Sequence, residues 1–224
     1  MAINNHYVVC FDFEATHYDP NIAEPVELAA CIIHPRRLEV VEGSIFHSYI
    51  RPPDIDAVSQ DNIAFHAKAA KCTNEEIIQR FRDSPTQKDV WDKFAIYLER
   101  YHTPTKRKSF FSAPIRAGQN IINYDNVIWQ RLCERYGYVN DENRQNIAFG
   151  RDNIDLLNIC FLWFENDSDG PTSYSADNLR SFFKMKDDKS HTAHQDVLDC
   201  ANWLIRFMKL HRTCAEHVNF KAGI

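Results

Sequence analysis

The sequence predicts an α/β layered fold, a mixed central β-sheet flanked by α-helices in three layers. Three observations predict it. Three apolar segments rich in β-branched and aromatic residues open the chain. Amphipathic helical segments follow, interrupted by one more short apolar strand. The length of 224 residues, 44% hydrophobic and 25% charged, suits one domain with a sizeable core. We read 1–224 as a single domain with its core at about 7–207.

Residues 7–15, YVVCFDFEA, read as a central strand, 24–35 as a second and 45–52 as a third. The intervening LEVVEG, punctuated by Gly43, gives an antiparallel meander. NEEIIQRFR (74–82) predicts a helix capped by Thr73 or Asn74. In 87–101, Val90, Trp91, Phe94, Leu98 and Tyr101 fall on one helical stripe. Residues 102–116 form a basic, proline-containing linker that ends in a strand near Ala113–Ala117. A helix from about Tyr124 to Tyr136 follows, begun near Asn123 and stopped by Gly137. Residues 139–153 and 166–173 are loops by composition, and periodicity leaves 154–164 open between strand and helix. Helices at 175–185 and 193–211 complete the chain.

A formal charge of −5 argues against a protein that coats duplex DNA, since sequence-independent affinity comes from cations on phosphates. It is compatible with a carboxylate-rich site that holds divalent cations. The seven cysteines include no C-x-x-C pair and several sit in apolar runs, so they read as reduced core thiols of a cytoplasmic protein. MAINNHYVV lacks the basic start of a signal peptide, and no apolar run approaches the roughly 20 residues that span a bilayer.

Asp12 and Glu14 lie two apart on the first strand, so they project from one face while Phe11 and Phe13 pack on the other. Two adjacent acids on a core strand repel each other, and a divalent cation compensates them best. In GQNIINYD (118–125), Asp125 falls in the first turn of a helix, where the dipole alone explains a carboxylate. In SHTAHQD (190–196), His191 precedes the last helix and Asp196 lies near its start. A loop histidine beside a metal site has the right pKa range to take a proton from water, and a surface histidine is the bland alternative. His194, Asp199 and Asp155 are competing candidates nearby.

Taken together, Asp12-x-Glu14, Asn120-x-x-x-Tyr124-Asp125 and His191-x-x-x-x-Asp196, in that order and about 110 and about 70 residues apart, resemble the DEDDh (DnaQ-like) exonucleases of RNase H-like fold. FDFEAT is similar to the branch that trims RNA 3′ ends, and GQNIINYD to the exonuclease I and proofreading branches. Residues 61–74 depart from the family, many of whose members carry a Gly-Ile-Thr-like turn there that helps hold the terminal nucleotide.

The resemblance implies a 3′→5′ exonuclease on single-stranded DNA or RNA that releases nucleoside 5′-monophosphates with two Mg²⁺ or Mn²⁺ ions. It implies that Asp12 bridges both ions, Glu14 and Asp196 bind one, Asp125 holds the other, and His191 is the general base. It also implies that the backbone at Ala15, Thr16, His17 and Tyr18, with Asn120, meets the terminal nucleotide. Lys106, Arg107, Lys108 and Arg116, interleaved with Phe110 and Phe111, suit phosphate contact and base stacking, or a solvated basic loop. Lys184, Lys186 and Lys189 precede His191 and suit phosphate contact in the same way, or a solvated loop. The expected partner is a nucleic acid with a free 3′ end, no membrane is involved, and the protein is a monomer or a homodimer. Two other readings stay open: a non-catalytic nucleic-acid-binding or scaffolding protein of the same fold, and a zinc hydrolase built on His191 and His194, which lacks a ligand spacing.

Overall fold

The computed structural model describes residues 6–103, 112–140, 142, 152–185 and 192–218. Its elements, in chain order, are β1 (Val8–Ala15), β2 (Pro25–Ile33), β3 (Phe46–Tyr49), α1 (Gln60–Ala69), α2 (Asn74–Asp83), α3 (Gln87–Glu99), β4 (Ile115–Gly118), α4 (Asp125–Arg135), β5 (Asn153–Asp155), α5 (Leu156–Phe164), α6 (Ala176–Phe182) and α7 (Ala193–His217). The five strands run in the order β3-β2-β1-β4-β5. The meander pairs β1, β2 and β3 antiparallel, while β4 and β5 join β1 in parallel, so the sheet is mixed as expected.

Alternation along β1 divides the core. Val9, Phe11 and Phe13 face α3 and α4, where Phe11 packs edge-on to Trp129 at 4.6 Å and Trp129 meets Trp91 at 5.2 Å. These rings are at most 4% exposed, and each contributes about 3 kcal/mol of apolar burial. Val8 and Cys10 face the other way, against Leu156, Leu179, Val197 and Trp203 of α5, α6 and α7. All seven cysteines are free thiols, five of them buried. Hydrogen bonding to Cys200 and Cys31, then burial, pushes the Cys10 thiol well up, which keeps it protonated.

The predicted stripe of α3 is buried at Val90, Trp91, Phe94 and Leu98. Thr73 caps α2 in a reciprocal box with Glu76. Gly137 takes φ 77 after α4, a conformation that costs a side-chain-bearing residue energy. The ambiguity at 154–164 resolves as both alternatives in succession, β5 and then α5. The reason is Asp155, which ends the strand and caps the helix by accepting the Leu157 N–H at 3.0 Å.

One expectation changes, and one helix is unannounced in the sequence. The start of α4 lies at Tyr124, with no side-chain cap, because Asn123 turns back to donate to Asn120 Oδ1 at 3.1 Å. Helix α1 carries no apolar stripe to announce it, since Ile63, His66 and Ala67 are its buried residues. Its cap is Ser59, and with α2 it closes a satellite core on Val26. No helix among the described residues is long and apolar enough to cross a membrane.

Candidate active site

The two-residue period that sends Val8 and Cys10 under α7 carries on to Asp12 and Glu14. The apolar half of that face ends at Cys10, and the acids occupy the end of the strand where it emerges. Across the sheet Asp12 faces Ala29, whose small side chain leaves room, and Glu14 faces Glu27. Helix α7 crosses this face. Its cap, Thr192, accepts the Gln195 N–H at 3.3 Å, and Asp196 follows in the first turn. Carboxylate oxygens of Asp12, Glu14 and Asp196 then all lie within 4.8 Å of one another.

Asp125 arrives from a different direction. The parallel pairing of Cys10 with Ala117 sets the end of β4 beside β1. The chain turns at Gly118, where a Cβ would meet Ile121 Cγ2 at 2.2 Å and the Phe11 carbonyl at 2.8 Å. Asn120 adopts φ 55, and Asp155 fixes the turn by accepting N–H groups from Asn120 at 2.9 Å and Ile122 at 3.1 Å. With the Leu157 N–H also on it, Asp155 is a scaffold residue rather than a member of the acidic group. Asp125, 3% exposed, accepts the N–H of Phe13 at 2.9 Å, between Asp12 and Glu14 in the strand.

Such crowding is electrostatically costly. The Asp12 carboxyl is held well above the usual range by burial, then by the charges of Asp125, Glu14 and Asp196. Glu14 is raised by burial, then by Asp196, Glu27 and Asp125. Asp125 is pushed up to about 7 by burial, against the hydrogen bond from Phe13. An all-oxygen, multiply acidic donor set of this kind fits Mg²⁺ or Mn²⁺ and not a thiolate-seeking metal. No cluster of cysteine and histidine suited to zinc exists among the described residues.

Beyond Glu14 the backbone is held from α1. His66 Nε2 lies 3.0 Å from the Ala15 carbonyl, and Asn62 donates to the Thr16 carbonyl at 2.5 Å. Tyr124 donates its hydroxyl to the His17 carbonyl at 2.5 Å. Tyr18 is 86% exposed and stacks on His17 with ring centres 4.2 Å apart. A cleft of about 540 Å³ opens here, lined in part by Thr16, His17, Ile22 and Asn62. In the atypical segment 61–74 a tight turn forms without glycine: Lys71 takes φ 54, and Cys72 N–H reaches the Ala67 carbonyl at 2.9 Å.

His191, Lys106, Arg107 and Lys108 lie outside the described residues, as do Phe110, Phe111, Lys186 and Lys189. Arg116 is buried at 3% exposure with its guanidinium over Trp129 at 5.5 Å, so the basic segment does not present it to solvent. His194 stands with His47, ring centres 5.7 Å apart, and His47 Nε2 lies 2.7 Å from Glu27 Oε1. Asp199 is buried and paired with Arg180 at 2.6 Å. Arg180 also reaches Asp196, a contact that sequence patterning does not single out.

A family model described as an exonuclease domain, RNase_T, matches residues 9–204. No curated protein sequence matches. Among solved structures, cell-death related nuclease 4 (CRN-4) superposes with a TM-score of 0.65 at 15% identity, over 91% of this chain and 64% of that one. E. coli exonuclease I in complex with a 5cy-dT13 oligonucleotide gives 0.63 at 17%, over 93% and 43%. Exonuclease I from Methylocaldum szegediense gives 0.63 at 15%, over 90% and 40%. The chain therefore spans less than two thirds of each of these neighbours, and the likeness establishes the shared RNase H-like exonuclease fold. By the family match, which runs from β1 into the first half of α7 and takes in all four acids, the chain belongs to the RNase_T exonuclease family.

Proposed function

We propose that this chain is a metal-dependent 3′→5′ exonuclease that hydrolyses single-stranded DNA or RNA from a free 3′ end and releases nucleoside 5′-monophosphates. The observation that carries the reading is the convergence of Asp12, Glu14 and Asp196 oxygens within 4.8 Å, with Asp125 tied to the strand between the first two. Two divalent ions, Mg²⁺ or Mn²⁺, bound by these acids would supply Lewis-acid stabilisation of the attacking and leaving oxygens of an in-line displacement. The chain's own part is to hold the four carboxylates in place, to bring His191 forward as the proton acceptor, and to fix the 3′ end. In this reading Ala15, Thr16 and His17 present backbone to the terminal nucleotide, Tyr18 stacks on its base and Asn120 shapes the adjoining turn. Lys106, Arg107 and Lys108 meet the phosphates upstream.

Residues 1–224 form one exonuclease domain in this proposal, working as a monomer or homodimer in the cytoplasm. The test is a time course on matched single-stranded and duplex DNA and RNA labelled at either end, in EDTA, Mg²⁺ or Mn²⁺. Stepwise shortening of 5′-labelled single strands, dependent on metal and lost in Asp12→Ala and His191→Ala, is the expected result. Hydrolysis that persists in Asp12→Ala at the parental rate refutes the assignment.

A further inference from the structure

Arg180 is an unusual residue to find inside a seven-residue helix: it is 3% exposed, and its guanidinium is shared among three aspartates. Nε donates to Asp199 Oδ2 at 2.6 Å, Nη1 to Asp177 Oδ1 at 3.2 Å and Nη2 to Asp196 Oδ1. Asp199 is itself 4% exposed, and its other oxygen accepts from Gln195 Nε2 at 2.9 Å. Asp177 is largely exposed, with 68% of its side chain accessible, and adds little. The Arg180–Asp199 pair alone would suffice to clasp α6 to α7. The fork nevertheless continues to Asp196, one turn earlier on α7 and a member of the acidic group.

We infer that Arg180 is a positioning residue that holds the Asp196 carboxylate in place for the divalent cation and so sets the metal affinity of the site. The inference rests on the function proposed above. Asp196 shares its site with Asp12 and Glu14, and like charges drive an unanchored carboxylate outward. Its side chain is already 19% exposed, so solvent is within a rotamer change. Arg180 opposes that swing by donating to Oδ1. The guanidinium also repels a divalent cation, but it is turned toward Asp199 and spread over a delocalised fork. Orientation therefore outweighs repulsion, as with other hydrogen-bonded partners of metal ligands, whose loss typically costs about 10- to 100-fold in metal affinity. Lysine cannot replace it fully, because a single ammonium cannot span two carboxylates as a planar fork does.

Removing Arg180 alone would strand Asp199 as a buried charge, so the main variant is Arg180→Met with Asp199→Asn, which removes both charges of the clasp. The measurement is Mn²⁺ binding by calorimetry, with melting in EDTA to verify the fold. The expected result is a folded protein whose Mn²⁺ dissociation constant rises about 10- to 100-fold, with Arg180→Lys between it and the parent. The KM for a single-stranded oligonucleotide at saturating Mn²⁺ should stay at the parental value, which separates metal positioning from general damage. Parental or tighter Mn²⁺ binding by the double variant overturns the inference. If the double variant does not fold, an unchanged dissociation constant in Arg180→Lys overturns it instead. A parental chain that binds Mn²⁺ yet leaves oligonucleotides intact removes the proposed function and keeps this inference; one that binds no Mn²⁺ removes both.

Discussion

Replacing Asp125 by Asn should stabilise the metal-free chain, although it removes one of the four acids. Among the described residues the side chain's long-range hydrogen bond is accepted by Oδ1 from the Phe13 N–H at 2.9 Å, and an asparagine oxygen can accept it equally. What disappears is the charge. Burial pushes the Asp125 carboxyl up to about 7 in the fold, against about 3.9 for an unperturbed Asp. The folded state therefore binds the proton more tightly than the unfolded chain, and stability falls as pH rises between these two values. At pH 7 the full difference corresponds to about 4 kcal/mol, and to about 2 if the neighbouring acids absorb half of it. At roughly 2–4 °C per kcal/mol for a chain of this size, the melting temperature in EDTA should rise by roughly 5–15 °C. The gain should shrink as pH falls below 7 and vanish below about pH 3, where the parental carboxyl is protonated in both states. Saturating Mn²⁺ should narrow the gap, because ligand at about 100 times its dissociation constant adds about 2.7 kcal/mol to the parent and less to the variant. An Asp125→Asn protein that melts below the parent in EDTA at pH 7, or a difference that does not change with pH, refutes the electrostatic reasoning.

Two further perturbations probe the frame and the grip. Gly118→Ala should cost about 1–3 kcal/mol in urea denaturation, because its Cβ would run into Ile121 and the Phe11 carbonyl; an unchanged midpoint would show that the β4–α4 turn is not held as described. Tyr18→Ala should leave the melting temperature within a degree or so, since the ring is 86% exposed. In fluorescence anisotropy it should weaken binding of a single-stranded oligonucleotide roughly 5- to 150-fold, the equivalent of losing about 1–3 kcal/mol of base stacking. Equal affinity would remove Tyr18 from the substrate surface.

Much of this architecture was legible because the chain carries local signals. The alternation in VVCFDFEA fixed which face of β1 each side chain takes, and that alone placed Asp12 and Glu14 together. Thr73 with Glu76 announced α2, and the Trp91–Phe94–Leu98 stripe announced α3. Helix α1 was silent, because it buries few residues and draws its place from side chains that reach distant carbonyls, His66 to Ala15 and Asn62 to Thr16. Arg116 looked like a phosphate ligand beside other cations, yet strand parity turned it inward over Trp129.

The sequence by itself determined the pairing of Asp12 with Glu14, since a strand's two-residue period is a property of the backbone and needs no partner. Only the tertiary structure decided the rest of the site. Asp125 meets β1 because parallel pairing and a glycine let β4 turn close against it. Asp196 rather than Asp199 joins the acidic group because the first turn of α7 is what meets Asp12 and Glu14, while Asp199, a turn further on, has its two oxygens on Arg180 and Gln195. Both decisions depend on contacts between residues far apart along the chain, and no local pattern encodes how two elements approach each other.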